Sequence, residues 1–169
     1  MMSGRKQAIE AYVSQAHQET WPVLAAIPEA DRATLVYGEG GPWTVRDVVA
    51  HLADAETGLL GQVQRLLAGK MTVPPDFDLN RWNRSAVRRS QGRLFEDLID
   101  EIRRSHLEAL STLRSCSEDG LDLEGRHSSG EILSAEGFFR RMADHRRQHT
   151  HDIRQALAGA PAAGAVGSG

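Results

Sequence analysis

Apolar residues recur every three or four positions in four separate stretches of this chain, which is the rhythm of one buried helical face. The first stretch covers residues 3–27 and places Ile9, Val13, Ala16, Leu24 and Ile27 on one side, with Pro28 close behind as a stop. The second runs from Thr44 to about Ala68 through Val48, Leu52, Ala55, Leu59, Val63 and Leu67. Its start is marked by a hydroxyl at Thr44 with Asp47 three residues on, a capping box with Asp in the usual Glu position. Gly69 follows its end, as helix stops prefer. The third, about residues 93–116, carries Leu94, Leu98, Ile102, Leu110 and Leu113. The fourth begins after Ser134, an N-cap by type, and ends near Leu157.

The connections are legible by composition. Residues 28–43 hold Gly38, Gly40, Gly41 and Pro42 and read as a loop. Residues 70–79 contain Pro74 and Pro75, and residues 78–89 form a short helix carrying Trp82 before a break at Ser90-Gln91-Gly92. No stretch alternates long enough to predict a sheet, although residues 35–37 and 131–133 suit short extended pieces. The expectation is an all-α four-helix bundle, up-down-up-down with longer connections, in one domain over residues 1–157. Residues 158–169 contain only Ala, Gly, Pro, Val and Ser and are expected to form a flexible tail.

The fourth stripe is interrupted by chemistry. His145 and His149 occupy slots where its rhythm asks for Leu or Ile, between Phe138, Met142 and Ile153. A spacing of four puts both imidazoles on one side of the helix, about 5–6 Å apart at Cβ. Each buried imidazole needs a polar partner, and one shared cation satisfies both. His51 borders the stripe of the second helix, where it is either a hydrogen-bonded core residue or a third ligand. His151, two residues from His149, faces elsewhere and is expected in solvent. His17, His106 and His127 sit among polar or charged neighbours and are expected at the surface. Carboxylates near the ligand candidates are Asp54, Glu56, Asp144 and Asp152, among which the sequence does not choose. No catalytic residue is assigned.

Charge and composition narrow the function classes. Of 169 residues, 20 are basic and 23 acidic, intermixed, for a net charge of −3. That pattern gives no footprint for nucleic acid. No apolar run approaches a membrane span and the N-terminal residues lack an apolar signal core, so no membrane is implied and a cytoplasmic location is expected. The single Cys116 rules out a disulfide framework within the chain and reads as a small, half-buried residue. Leu94, Leu98, Leu107, Leu110 and Trp82 exceed what one narrow stripe requires. Either a homodimer interface or a wider buried arc accounts for them.

Two motifs together resemble the DinB/YfiT-like superfamily. Residues 41–56, from Gly-Pro-Trp43-Thr44 to His51-Leu52, are similar to its second-helix signature, in which a Trp-Ser/Thr start precedes a His-Leu pair. His145-x3-His149-x2-Asp152-Ile153 resembles its last-helix signature, with Asp152 where Gln is usual. Trp82-Asn83 matches a further family feature. The resemblance spans about residues 5–157. It implies a four-helix bundle with a metal centre of His51, His145 and His149, and dimers among relatives. The ion is then a divalent transition metal, zinc or nickel foremost, with iron, manganese or copper as alternatives. The implied activity is a metal-dependent transferase acting with a low-molecular-weight thiol such as mycothiol or bacillithiol. A metal-dependent hydrolase or a non-catalytic metal- or ligand-binding stress protein are the alternatives.

Overall fold

The computed structural model describes residues 2–39 and 41–159. Four long helices make the bundle: α1 (Gly4–Leu24), α2 (Val45–Leu67), α4 (Phe95–Ser115) and α5 (Ala135–Leu157), with a shorter α3 (Leu79–Ser90) between the second and third of them. Local chemistry sets the ends. Thr44 accepts from the Asp47 amide while the Asp47 carboxylate takes the Thr44 amide, closing the capping box. Ser134 caps α5 and Asp78 caps α3 by a single bond each, the side-chain oxygen accepting from the amide three residues on. Gly69, at φ +68°, turns the chain out of α2 in the left-handed conformation that suits glycine. The tail residues 160–169 lie outside the described residues.

Side-chain pairs give the direction of each helix. Arg5 bonds Glu136 and Tyr12 bonds Asp144, so α1 and α5 run parallel. Thr57 bonds Glu101 and Gln64 bonds Glu108, so α2 and α4 also run parallel. Glu10 pairs with Arg114 while His17 stacks on His106, so α1 opposes α4. The bundle is four-helical as expected, but its order corrects the up-down-up-down expectation to up-down-down-up. The physical reason lies in the connections. Helices α2 and α4 are parallel neighbours, which demands a return run of chain, and α3 supplies it by packing along α2. The two other links cross between helices that are not neighbours, and each is long enough to carry a two-stranded ribbon: β1 (Leu35–Tyr37) with β2 (Trp43–Thr44), and β3 (Glu124–Arg126) with β4 (Ile132–Ser134).

The apolar stripes are buried in two stacked clusters. One joins Ile9, Val13, Val63, Leu113 and Phe138; the other joins Leu24, Val48, Leu52, Leu98, Ile102 and Ile153. Each such side chain removed from water contributes about 1.5–3 kcal/mol. Of the residues offered for a dimer, Leu98 and Leu110 belong to the core, whereas Leu94, Leu107 and Trp82 are exposed. Among the described residues no helix is long and apolar enough to cross a membrane.

Candidate metal centre

His51 of α2 and His145 and His149 of α5 meet in the interior, where the two helices run antiparallel and each residue is at most 7 % exposed. Nε2 of His145 lies 3.1 Å from Nε2 of His51 and 3.1 Å from Nε2 of His149. All three rings thus direct the same atom to one point. The Trp43 ring, 5.1 Å from that of His51, closes one side. Burial pushes the pKa of His51 down to about 3 and that of His149 to about 4, and holds His145 well below the usual range, with neighbouring imidazoles adding to the effect at His51 and His145. At neutral pH the three rings are uncharged, as ligands must be.

The proton on His149 is placed by its neighbours. Tyr37, at the end of β1, has one hydroxyl hydrogen, and it goes to the carboxylate of Asp152. Its oxygen, 2.8 Å from Nδ1 of His149, therefore accepts the Nδ1 hydrogen. That leaves a bare lone pair on Nε2, facing the other two rings. Asp152 is held in turn by the Gln148 amide at 3.0 Å. Three nitrogens converging with a lone pair fixed at one of them, and no anion among them, suit a cation better than one another. The donor set therefore fits a divalent transition ion.

The three histidines grouped from the sequence lie together in the structure, whereas three others lie elsewhere than expected. His127 is fully buried and His106 is 5 % exposed, while His17 is half-buried. All three were expected at the surface. His106 stacks face to face on His17, centroids 3.9 Å apart, against the buried Arg146, and His127 is folded inward against Phe138 by the β3–β4 ribbon. His151 is exposed and Cys116 half-buried, as expected. Of the four candidate carboxylates, only Asp152 reaches the centre, through Tyr37. Asp54 bonds Trp82 and Arg89, Glu56 bonds Arg146, and Asp144 bonds Tyr12. Tyr37 went unrecognised; the one signal was its place at the end of a short extended piece.

A cavity of about 250 Å³ opens against His51 and His145. Its wall is largely apolar, with Leu59, Val73, Phe77, Leu79 and Trp82 contributed by α2, α3 and the chain joining them. His149 lies behind the other two ligand candidates, away from this space.

A helical bundle with a buried three-histidine cluster between its second and last long helices is the class of protein that this geometry defines. The chain belongs to the DinB superfamily, whose sequence profile matches residues 12–153. No curated protein matches the sequence. Among solved structures, YfiT from Bacillus subtilis, described as a probable metal-dependent hydrolase with an unusual four-helix bundle topology, superposes with a TM-score of 0.74 at 19 % identity, over 94 % of this chain and 90 % of that one. A mycothiol-dependent maleylpyruvate isomerase matches with a TM-score of 0.74 at 15 % identity, over 88 % of this chain. This chain spans 60 % of the isomerase's length. An uncharacterised protein from Escherichia coli UTI89 matches at 0.73 and 13 % identity, over 91 % and 93 %. At these identities the likeness concerns the fold.

Proposed function

We propose that this protein is a metal-dependent transferase in which His51, His145 and His149 hold a divalent transition ion and a low-molecular-weight thiol is a co-substrate. The observation that carries this reading is the convergence of three neutral imidazoles on one point, two of which, His51 and His145, also line a largely apolar cavity. Three protein ligands leave a coordination position open, which is the arrangement of catalytic rather than structural sites. An ion held there lowers the pKa of a thiol or water that occupies the open position. The residues of the chain orient and enclose. Tyr37 and Asp152 keep the His149 proton on Nδ1, and Trp43 with the apolar wall excludes water.

The thiol reading is favoured over the hydrolase by the cavity wall. Among the described residues that line it there is no Asp or Glu to serve as a general base for water. Asp152, the carboxylate nearest the three rings, is committed to Tyr37 and Gln148. A thiol, far closer to ionisation than water before any ion acts on it, would release its proton to solvent on occupying the open position and needs no such base. The test is a cobalt-loaded protein titrated with mycothiol or bacillithiol and followed by visible absorption. A thiol-dependent change that is lost in His51→Ala is the expected result. An unchanged spectrum with both thiols overturns the thiol reading. Retained hydrolysis of ester substrates would then favour the hydrolase, and inactivity in both assays a binding protein.

A further inference from the structure

His127 carries an unpaired hydrogen-bond donor into the same cavity. The residue opens the turn between β3 and β4, where its amide bonds the Glu131 carbonyl at 2.7 Å and its carbonyl accepts from Gly130 at 2.9 Å. Gly130, at φ +96°, allows the chain to turn back tightly. The Ser129 amide hydrogen, fixed by the backbone, points at Nδ1 of His127 at 3.1 Å. The Ser129 hydroxyl, 2.8 Å from the same nitrogen, gives its hydrogen to Oε2 of Glu131 at 3.0 Å, so the backbone amide is the fixed donor to Nδ1. Nδ1 is therefore an acceptor, and the ring proton sits on Nε2. That Nε2 is buried without a partner, in a residue fully removed from solvent that lines the cavity beside His145.

An orphaned buried donor costs about 1–3 kcal/mol, so its retention in a wall that also holds Thr57, Arg65, Thr72 and Asn83, none of which pairs with it, calls for an acceptor that the protein itself does not provide. Two neighbours on the wall also carry an unpaired buried polar atom, one a donor and one an acceptor. Nδ1 of His145 has no partner and bears the proton when Nε2 serves as a ligand, so it too is a donor. Gln62, further along α2, has an unpaired buried Oε1. Burial and the nearby Arg141 guanidinium lower the pKa of His127 to about 4, so the ring stays neutral and keeps one hydrogen to give.

We infer that His127 is a substrate-recognition residue whose Nε2–H receives a carbonyl or carboxylate oxygen of a small, mainly apolar molecule lying in the cavity against the histidine cluster. Leu59, Val73 and Phe77 take the body of that molecule, and the volume, near the lower end of the roughly 300–1,000 Å³ of ligand pockets, limits it to a small one. The inference rests on the cavity being the substrate site of the proposed metal centre. Its test uses the full chain without metal, so failure of the ion to bind and failure of His127 are read separately.

The test has two measurements. Long-range proton–nitrogen spectra of the imidazoles report the His127 tautomer and its response to a matched pair of probes, 4-phenyl-2-butanone and butylbenzene. The proton is expected on Nε2, with a resonance that moves on saturation with the ketone and not with the hydrocarbon. Dissociation constants of both probes are then compared in the wild type and in His127→Phe, which keeps a buried ring and removes the donor. The preference for ketone over hydrocarbon is expected to fall roughly 2- to 13-fold in the variant, the range for one neutral hydrogen bond. A proton on Nδ1, an Nε2 resonance indifferent to the ketone, an unchanged preference in the variant, or no binding of either probe overturns the inference. The wild-type spectra decide the matter even if the variant does not fold.

Discussion

The Tyr37 hydroxyl sits 2.8 Å from Nδ1 of His149 and spends its only hydrogen on Asp152, so a residue of the first ribbon determines which nitrogen of a last-helix histidine is free. Such partners of a metal-binding histidine commonly contribute 10- to 100-fold in metal affinity. Tyr37→Phe keeps the ring packed beside Trp43 and removes the acceptor. We expect it to fold normally, to lose roughly 10- to 100-fold in Zn²⁺ affinity by chelator competition, and to leave Asp152 without its hydroxyl partner. Unchanged affinity would show that the relay plays no part in ion binding.

The distribution of what the sequence disclosed follows from the range of each interaction. Helix bounds were legible because caps and stripes are local: Thr44 with Asp47, Ser134, Gly69 and the i, i+3, i+4 series all act within a turn or two. His145 and His149 were legible for the same reason, since their spacing alone puts them on one face. Tyr37 was not, because 112 residues separate it from His149 and only the diagonal link between α1 and α2 joins them. The helix order was hidden for a like reason. Stripes tell which face of a helix is buried but not which helix covers it, and it took pairs such as Arg5 with Glu136 to reveal parallel neighbours. His106 and His127 misled because polar sequence neighbours stood in for spatial ones.

Metal is expected to stabilise this fold without being required for it. The two apolar clusters extend through all four long helices and do not depend on the histidines. Circular dichroism of chelator-treated protein should therefore show a helical, cooperatively melting chain. An ion that binds only the native state adds RT ln(1 + [L]/Kd), about 2.7 kcal/mol at a hundredfold excess over Kd. Adding Zn²⁺ should raise the Tm of the wild type and leave that of His145→Ala nearly unmoved. A largely unfolded metal-free chain would contradict this account.

Among the described residues, Glu56 and Arg146 form the most deeply buried ion pair, side by side with Nε at 2.6 Å from Oε1 and a second bond from the same guanidinium. Removing one partner strands the other's charge, which costs about 3–5 kcal/mol, whereas replacing both with apolar residues of similar volume is often neutral. Glu56→Ala or Arg146→Ala should thus be far more destabilising to urea than the double variant Glu56→Leu with Arg146→Met. Equal losses in all three would mean that the pair's shape, rather than its charge, is what the core needs.

Acid sensitivity is expected at a second place, away from the three-histidine cluster, where burial and then Arg146 depress two further imidazoles. Arg146 donates to Nδ1 of His17 at 2.7 Å, and the His17 ring stacks on that of His106. Burial, with Arg146 adding to it, lowers the pKa of His17 to about 4; burial, with His17 and Arg146 adding to it, lowers that of His106 to about 3. In the unfolded chain both titrate near 6.5, so between that pH and their folded values the unfolded state binds more protons than the native one. Stability must then rise with pH across this window: it is fully present above about 6.5 and falls as the pH drops toward 4. Protonating His17 also removes the acceptor from Arg146 and sets two cations face to face. Urea midpoints of metal-free protein should decrease steadily from pH 7 to pH 4.5. His17→Gln, which offers an amide oxygen and does not titrate, should show a shallower decrease over the same range. A slope identical to that of the wild type would place the acid sensitivity elsewhere.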